Sequence, residues 1–252
     1  MRYKRIGVVF LPTDCTGPTE FYTLMNNFDN IIAQSVNCRF PEGTEQLNKD
    51  TYEFSLKYLS ETVDCLRPTM SFDCIGLACT SFAFAVGSER ISAEIRNVHP
   101  ETTIIDMKTS LFKALKFLSL TKLLVLTAYK SDLNNILKLQ LETKNFEVIA
   151  IEGFNMDTDY DIYQISQDKI LSSVYRLKKI YLEPIKDMRG IGLVISCSAF
   201  NILKNGFIDI LEKNINIPVV TSMQSFCWDI LQLCSIDNKI NGYGMLLSGK
   251  LQ

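Results

Sequence analysis

Short apolar runs alternate along this chain with longer stretches in which apolar residues recur at helical spacing. In residues 5–11, Ile6, Val8, Val9, Phe10 and Leu11 leave no polar face, which predicts a strand buried on both sides. Pro12-Thr13-Asp14-Cys15-Thr16-Gly17-Pro18 then breaks regularity at the C-terminal end of that strand. A helix is predicted over 19–26, a second strand over 31–39, and a loop over 40–50, which carries Pro41 and Gly43. Phe54, Tyr58, Leu59 and Val63 give 51–66 a helical period, with Pro68 just past its end. Strands over 74–79 and 102–107 flank a helix over 89–98.

The alternation continues. Helices are predicted over 109–120, from a cap at Ser131 or Asp132 to Leu141, and over 164–180, 201–214 and 225–234. Strands are predicted over 123–128, 147–151, 190–197 and 218–221, with a polar loop over 153–161 and an edge element in 241–247. Strands alternating with helices define an α/β fold with parallel sheets. The strand starting at Leu123 follows the one starting at Arg5 by 118 positions, and Cys197 follows Cys79 by the same 118. Two landmarks at one offset imply two similar halves. The expected division is 1–105 with 219–252 as one domain and 106–218 as the other. Parallel sheets bind ligands outside the C-terminal ends of their strands, so 12–16, 79–81, Tyr129 and Cys197-Ser198 are expected to line one cleft.

Composition narrows the chemistry. Apolar residues make up 47% and charged residues 21%, as in ordinary globular proteins. A net charge of −2 gives no electrostatic case for nucleic acid or an anionic membrane. Met1 to Arg5 has the charge of a signal n-region, but the apolar run behind it stops at Pro12, and no run approaches the ~20 apolar residues of a membrane span. The expectation is a soluble cytoplasmic protein. Eight cysteines without a CxxC pair argue against disulfides there. The single histidine, His99, and the cysteine spacing argue against zinc, so no metal site is expected. His99 reads as a surface loop residue, and with no visible partner it excludes histidine-based triads. No nucleotide-binding glycine motif occurs. Thiols, carboxylates, tyrosines and backbone dipoles remain.

Among the thiols, Cys65, Cys227 and Cys234 on helices and Cys38 and Cys74 on or beside strands read as small buried hydrophobes. Cys15 lies in a loop. Cys79 and Cys197 differ, because each ends an apolar strand and precedes a small hydroxyl residue. Amides and hydroxyls of Thr80, Ser81 and Ser198 can receive an anion, and following helix N-termini would add a favourable dipole that lowers the thiol pKa. The blander alternatives are capping for Thr80 and Ser81, ring packing for Tyr129 and core burial for Trp228.

The ordered set Arg5-Ile6-Gly7-Val8-Val9 with Pro12, Cys79-Thr80-Ser81 with Phe84 and Gly87, and Leu126-Thr127-Ala128-Tyr129 with Asp132 and Asn134 carries a resemblance. Ile195-Ser196-Cys197, Ile217-Pro218-Val219-Val220-Thr221-Ser222 with Trp228, and Gly242-Tyr243-Gly244 extend it. Over most of its length the chain resembles the aspartate/glutamate racemase superfamily, in its maleate isomerase and arylmalonate decarboxylase branch. The resemblance implies two pseudo-symmetric flavodoxin-like domains, each with a parallel sheet of about four strands, and a cofactor-independent active site between them. It implies Cys79 and Cys197 as opposed catalytic thiols. Thr80, Ser81, Tyr129 and the backbone at Ser198 would form the substrate pocket that stabilises the enediolate, Pro12 and Thr13 would shape its wall, and Arg39 would either bind a carboxylate or stand exposed at its strand end.

The implied activity is that of a racemase or cis-trans isomerase of a small carboxylic acid. The alternatives are an arylmalonate-type decarboxylase with Cys197 as proton donor and a non-catalytic carboxylate-binding protein. The retention of Cys79, where decarboxylases typically have glycine, favours the two-thiol activities. The chain departs from the isomerases, which commonly carry Pro-Ser-Ser-Asn-Thr, at Pro12-Thr13-Asp14-Cys15-Thr16: the amide is absent, and an ionised inward-facing Asp14 would repel a carboxylate. Pairing of apolar helices into a homodimer is compatible with this fold.

Overall fold

The computed structural model describes residues 3–67, 71–204, 206–237 and 239–249; Pro68 lies outside them. In the first half, β1 (Lys4–Phe10), β2 (Ile31–Asn37), β3 (Cys74–Leu77) and β4 (Thr103–Asp106) form a parallel sheet in the order β2-β1-β3-β4. Helices α1 (Gly17–Met25), α2 (Lys49–Lys57), α3 (Leu59–Asp64), α4 (Thr80–Val86) and α5 (Ser88–Arg96) connect its strands. Helix α6 (Met107–Phe117) leads into the second half, where β5 (Lys122–Thr127), β6 (Glu147–Gly153), β7 (Ile191–Ser196) and β8 (Val219–Thr221) repeat the order as β6-β5-β7-β8. Its helices are α7 (Ser131–Thr143), α8 (Asp159–Tyr163), α9 (Gln167–Leu177) and α10 (Phe207–Ile215); α11 (Ser222–Leu233) and α12 (Gly244–Ser248) close the chain.

The two sheets are α/β units of one topology, as the 118-residue offset predicts. The central strands are buried on both faces, which is why they read as continuous apolar runs. Register brings the candidate chemistry together. Val9 of β1 pairs with Leu77 of β3, so the loop after β1 lies beside Cys79. Thr127 of β5 pairs with Ser196 of β7, which sets Tyr129 beside Cys197.

Several elements depart from expectation. The helix over 51–66 is two helices, broken at Tyr58. Its buried face is Tyr52, Leu56, Leu59 and Val63, while Phe54 and Tyr58 pack on each other outside, their ring centroids 4.9 Å apart. Helix α4 was not foreseen: Thr-Ser-Phe-Ala-Phe-Ala-Val is buried almost all round and so shows no amphipathic period. Helix α7 starts behind Lys130 without a side-chain cap from Ser131 or Asp132. Residues 201–204 are irregular rather than helical, and α12 is a short helix instead of an edge strand.

Strand β8 pairs with β7, so Val219–Thr221 belongs to the second sheet, across the 218/219 division expected from the sequence. The chain then crosses over. A capping box between Thr221 and Gln224 starts α11, which packs against α1 and α6. Phe226 seats α11 on the first sheet, where a Cβ at Gly76 would stand 2.4 Å from its ring. His99 is half-buried rather than a free surface residue. Its Nε2 lies 3.1 Å from the Val63 carbonyl, at the end of the sheet where the strands begin. Cys65 is exposed, not buried. No helix among the described residues is long and apolar enough to cross a membrane.

Candidate active site

Cys79 lies two residues beyond β3 in extended conformation (φ −145°, ψ 115°) and occupies the N-cap of α4. Its Sγ is 3.5 Å from the Ser81 hydroxyl, which is 2.7 Å from the phenol oxygen of Tyr52. Tyr52 is held by stacking on Phe82, ring centroids 5.3 Å apart and 11° from parallel. Cys197 follows β7 directly, and there the chain turns instead of starting a helix. The expected helix dipole therefore supports Cys79 and not Cys197. Each thiol does face a backbone amide, that of Phe82 for Cys79 and that of Ala199 for Cys197.

The loop after β1 is set by Asp14. Its Oδ1 accepts from the amides of Thr16 (3.1 Å) and Gly17 (2.7 Å), closing the start of α1. A Cβ at Gly17 would lie 2.6 Å from Oδ2, so glycine permits this approach. Ser198 lies beside the carboxyl, but Oδ2 is buried without a well-formed hydrogen bond. Thr13 donates its hydroxyl to Asp159, the first residue of α8. The segment before α8 reaches across to the first half, where Leu47 donates its amide to the Asp157 carbonyl (2.9 Å) and Gln46 bridges Thr158.

Tyr129 is clamped through its backbone. Its amide donates to Thr127 Oγ1 (3.1 Å), and its carbonyl accepts from Asn134 Nδ2 (3.2 Å). A Cβ at Gly153 would stand 2.2 Å from that carbonyl. The phenol oxygen is buried and, with the neighbouring Ser196 hydroxyl, lacks a properly placed partner. Tyr129 is within electrostatic reach of Cys197, Cys79 and Tyr52. A groove of about 360 Å³ between residues 46–50 and 129–136 leads to it from the surface.

The fold thus gathers Cys79, Cys197, Thr13, Ser81, Tyr129 and Ser198. It does not gather the remainder of the predicted set. Arg39 is 61% exposed at its side chain, pairs with Glu61 and lies over the ring of Tyr58. Pro12 is exposed. The Thr80 hydroxyl points to Met107 Sδ (3.4 Å).

Burial dominates the electrostatics. Cys79 and Cys197 are 3% and 5% exposed, and desolvation pushes both thiols up, against the lowering expected from strand-end dipoles. The Ser81 hydroxyl opposes this at Cys79, and Asp159 reinforces it at both. Burial and the neighbouring Asp14 raise Asp159 to about 7. Asp14 is raised by burial in spite of its two amides. Glu20, on α1, accepts from the amides of Ile202 (2.6 Å) and Leu203 (2.7 Å) behind Cys197, and burial pushes it up to about 8.

Sequence reasoning missed Tyr52, Asp159 and Glu20 as parts of this region. The signal for Tyr52 was the alternative helical face Tyr52-Leu56-Leu59-Val63. Asp159 sits in a stretch that reads as a polar loop and carries no local signal.

These features define a two-unit α/β protein with a buried strand-end thiol from each unit, the two within electrostatic reach of each other. The family model for arylmalonate decarboxylase matches residues 6–247, and the chain belongs to that family. Three solved structures illustrate the shared fold. A maleate isomerase variant from Pseudomonas putida S16 with maleate is 16% identical, with 98% of each chain covered and a TM-score of 0.82. A double variant of arylmalonate decarboxylase in liganded form is 19% identical, covering 98% of this chain and 100% of its own, TM-score 0.80. A maleate cis-trans isomerase variant from Nocardia farcinica with a covalently bound succinylcysteine intermediate is 15% identical, covering 98% and 99%, TM-score 0.80. No curated protein matches the sequence.

Proposed function

We propose that this protein is a cofactor-independent racemase or cis-trans isomerase of a small carboxylic acid, working through Cys79 and Cys197. The observation that carries this reading is the pair of buried strand-end thiols contributed by topologically equivalent positions of the two sheets. A proton α to a carboxylate is weakly acidic, so its removal needs preorganised donors for the enediolate. Ser81, the Tyr129 phenol and the amides following each cysteine are the donors available here.

In the racemase form, one thiolate forms an S–H bond as the substrate α-C–H bond breaks. The opposite thiol then gives its proton to the other face of the enediolate and becomes the thiolate. The proton count closes over the two steps. A thiol suits this work because its ordinary pKa lies within reach of neutrality, although burial raises both thiols here. The runner-up is decarboxylation of a substituted malonate with Cys197 as proton donor, favoured by the family itself. Incubation with a panel of carboxylic acids in deuterated water, followed by proton NMR, separates the two. Deuterium entering the α carbon without carbon loss, or a change of alkene geometry, supports the proposal, and carbon dioxide release supports the runner-up. Full activity in Cys79→Ala would falsify the two-thiol mechanism.

A further inference from the structure

Glu20 uses only half of its carboxyl to hold the segment behind Cys197. Oε1 accepts from the amides of Ile202 and Leu203, while Oε2 is buried without a hydrogen-bond partner among the described residues. The residue is 2% exposed. Thr16 Oγ1 and Asn201 Oδ1 share that condition. Thr16 is 4% exposed and stands at the N-cap of α1, yet its hydroxyl makes no capping bond. Asn201 is anchored through its backbone, where its carbonyl accepts from Gln167 Nε2 (3.3 Å). All three residues line one cavity of about 190 Å³ between the start of α1 and the segment after Cys197. Cys15, Tyr163 and Lys204 also line it, and all three are exposed, so the cavity is open to solvent.

The chemistry of the lining selects the occupant. Buried polar groups without partners are costly, an ionised carboxyl most of all. An anion is disfavoured although a helix begins beside the cavity. Asp14 Oδ1 already takes the amides of Thr16 and Gly17, Pro18 has none, and the amide of Glu20 bonds to the Thr16 carbonyl (3.0 Å). The helix terminus therefore has little left to offer an anion, and Asp14 and Glu20 together would repel one. A carboxylate, a hydroxyl and an amide carbonyl are instead oxygen ligands for a hard cation. One carboxylate with two neutral oxygens brings a single negative charge, and Lys204 adds positive charge nearby, so the balance favours a monovalent ion over a divalent one.

We infer that this cavity binds an alkali cation through Glu20 Oε2, Thr16 Oγ1 and Asn201 Oδ1. The ion holds Glu20 ionised, and an ionised carboxylate is the stronger acceptor for the amides of Ile202 and Leu203. It thereby fastens the segment after Cys197 to α1. The site is independent of the reaction that the thiols carry out.

The test follows thermal unfolding of the full chain in potassium, sodium, calcium and choline chlorides at one ionic strength. The expected result is a saturable rise in melting temperature with potassium or sodium and none with choline, about 3–5 °C at tenfold excess over the half-saturating concentration. The rise should be larger at pH 8.5 than at pH 6, because the ion competes with the proton that burial keeps on Glu20 up to about 8. Glu20→Gln, which keeps an acceptor for the two amides, should abolish it. Thr16→Val should raise the half-saturating concentration about tenfold, the loss of one contact to a charged group. Lys204→Gln should lower it by removing the competing charge. An equal rise in choline is screening alone and overturns the inference, as does no rise in either alkali salt. A larger rise with calcium overturns the monovalent assignment. A rise that persists in Glu20→Gln and Thr16→Val places the ion elsewhere and also overturns it. If Glu20→Gln does not fold, Thr16→Val and the anomalous scattering of thallous ion in wild-type crystals decide, and an absent peak between Glu20 and Thr16 counts against the site.

Discussion

Tyr52 and Ser81, 29 residues apart in sequence, share a buried 2.7 Å hydrogen bond that fixes the hydroxyl next to Cys79. Tyr52 is held in turn by its stacking on Phe82, so the serine cannot choose its rotamer freely. Tyr52→Phe keeps the ring and removes the clamp. A hydrogen bond of this kind contributes about 0.5–1.5 kcal/mol to stability. The expected outcome is a loss of that order in urea denaturation and a fall of about tenfold in kcat, since about 1.4 kcal/mol in the barrier is tenfold in rate. A folded Tyr52→Phe with wild-type kcat would show that Ser81 needs no orientation.

Glu20 gives the protein a pH-dependent stability whose sign is fixed by its environment. Burial raises its folded-state value to about 8, well above the ordinary carboxyl value. The folded state therefore holds a proton that the unfolded state releases between about pH 4.5 and 8. Stability from this group is fully present at low pH and is lost as pH rises through 8. Asp159 and Glu212, both raised to about 7, act in the same direction. Urea midpoints should fall between pH 5.5 and 8.5, and Glu20→Gln should make the fall shallower by an amount on the order of a few kcal/mol. An unchanged slope would mean that Glu20 does not take up its proton on folding.

Strand existence was legible because parallel strands buried on both faces are continuous apolar runs, and β1, β3, β5 and β7 are such runs. The two thiols were legible for the same reason, each marking the place where a run ends. What escaped depended on tertiary burial. Helix α4 is apolar on every side, so periodicity cannot distinguish it from a loop of mixed residues. Tyr52 was hidden by the competing stripe of Phe54 and Tyr58, which pack against each other outside the core. Arg39 read as a carboxylate binder through the resemblance, which matches its position after the second strand and not its side-chain direction; Glu61 and the Tyr58 ring hold it outside. Asp159 reaches the site only because residues 157–159 fold back over residues 46–47 of the other half, a contact spanning more than a hundred positions.

The seat of α11 on the first sheet depends on one close approach. A Cβ at Gly76 would come within 2.4 Å of Phe226 Cζ and 2.7 Å of Cε2, closer than side-chain atoms pack. Gly76→Ala should cost about 1–3 kcal/mol, the usual range for overpacking. Phe226→Leu should also destabilise, by leaving space against Phe21 and the sheet. Combined, the two should be less harmful than their sum by about 0.5–3 kcal/mol, because the smaller side chain makes room for the methyl group. Strict additivity in denaturation of the double variant would mean that α11 shifts bodily instead of being seated by Phe226.

The opposed thiols make a prediction about stereochemistry that rate measurements alone cannot supply. If Cys79 and Cys197 face opposite sides of the α carbon, each removes the proton from one enantiomer only. A variant lacking one thiol cannot complete inversion, because the enediolate receives no proton on the vacated side. The remaining thiol can still remove a proton, exchange it with solvent and return a deuteron to the same face. Cys79→Ser and Cys197→Ser should therefore each lose racemisation by about 10²–10⁴-fold, the usual contribution of a positioned acid or base. Each should still wash deuterium into one enantiomer with retention of configuration, and the enantiomer should differ between the two variants. Proton NMR on each pure enantiomer, with chiral chromatography of the products, reads both quantities. Exchange of the same enantiomer by both variants would put the two sulfurs on one face of the substrate. The near-equivalent placement of the cysteines beyond β3 and β7 would then reflect the fold's repeat and not its chemistry.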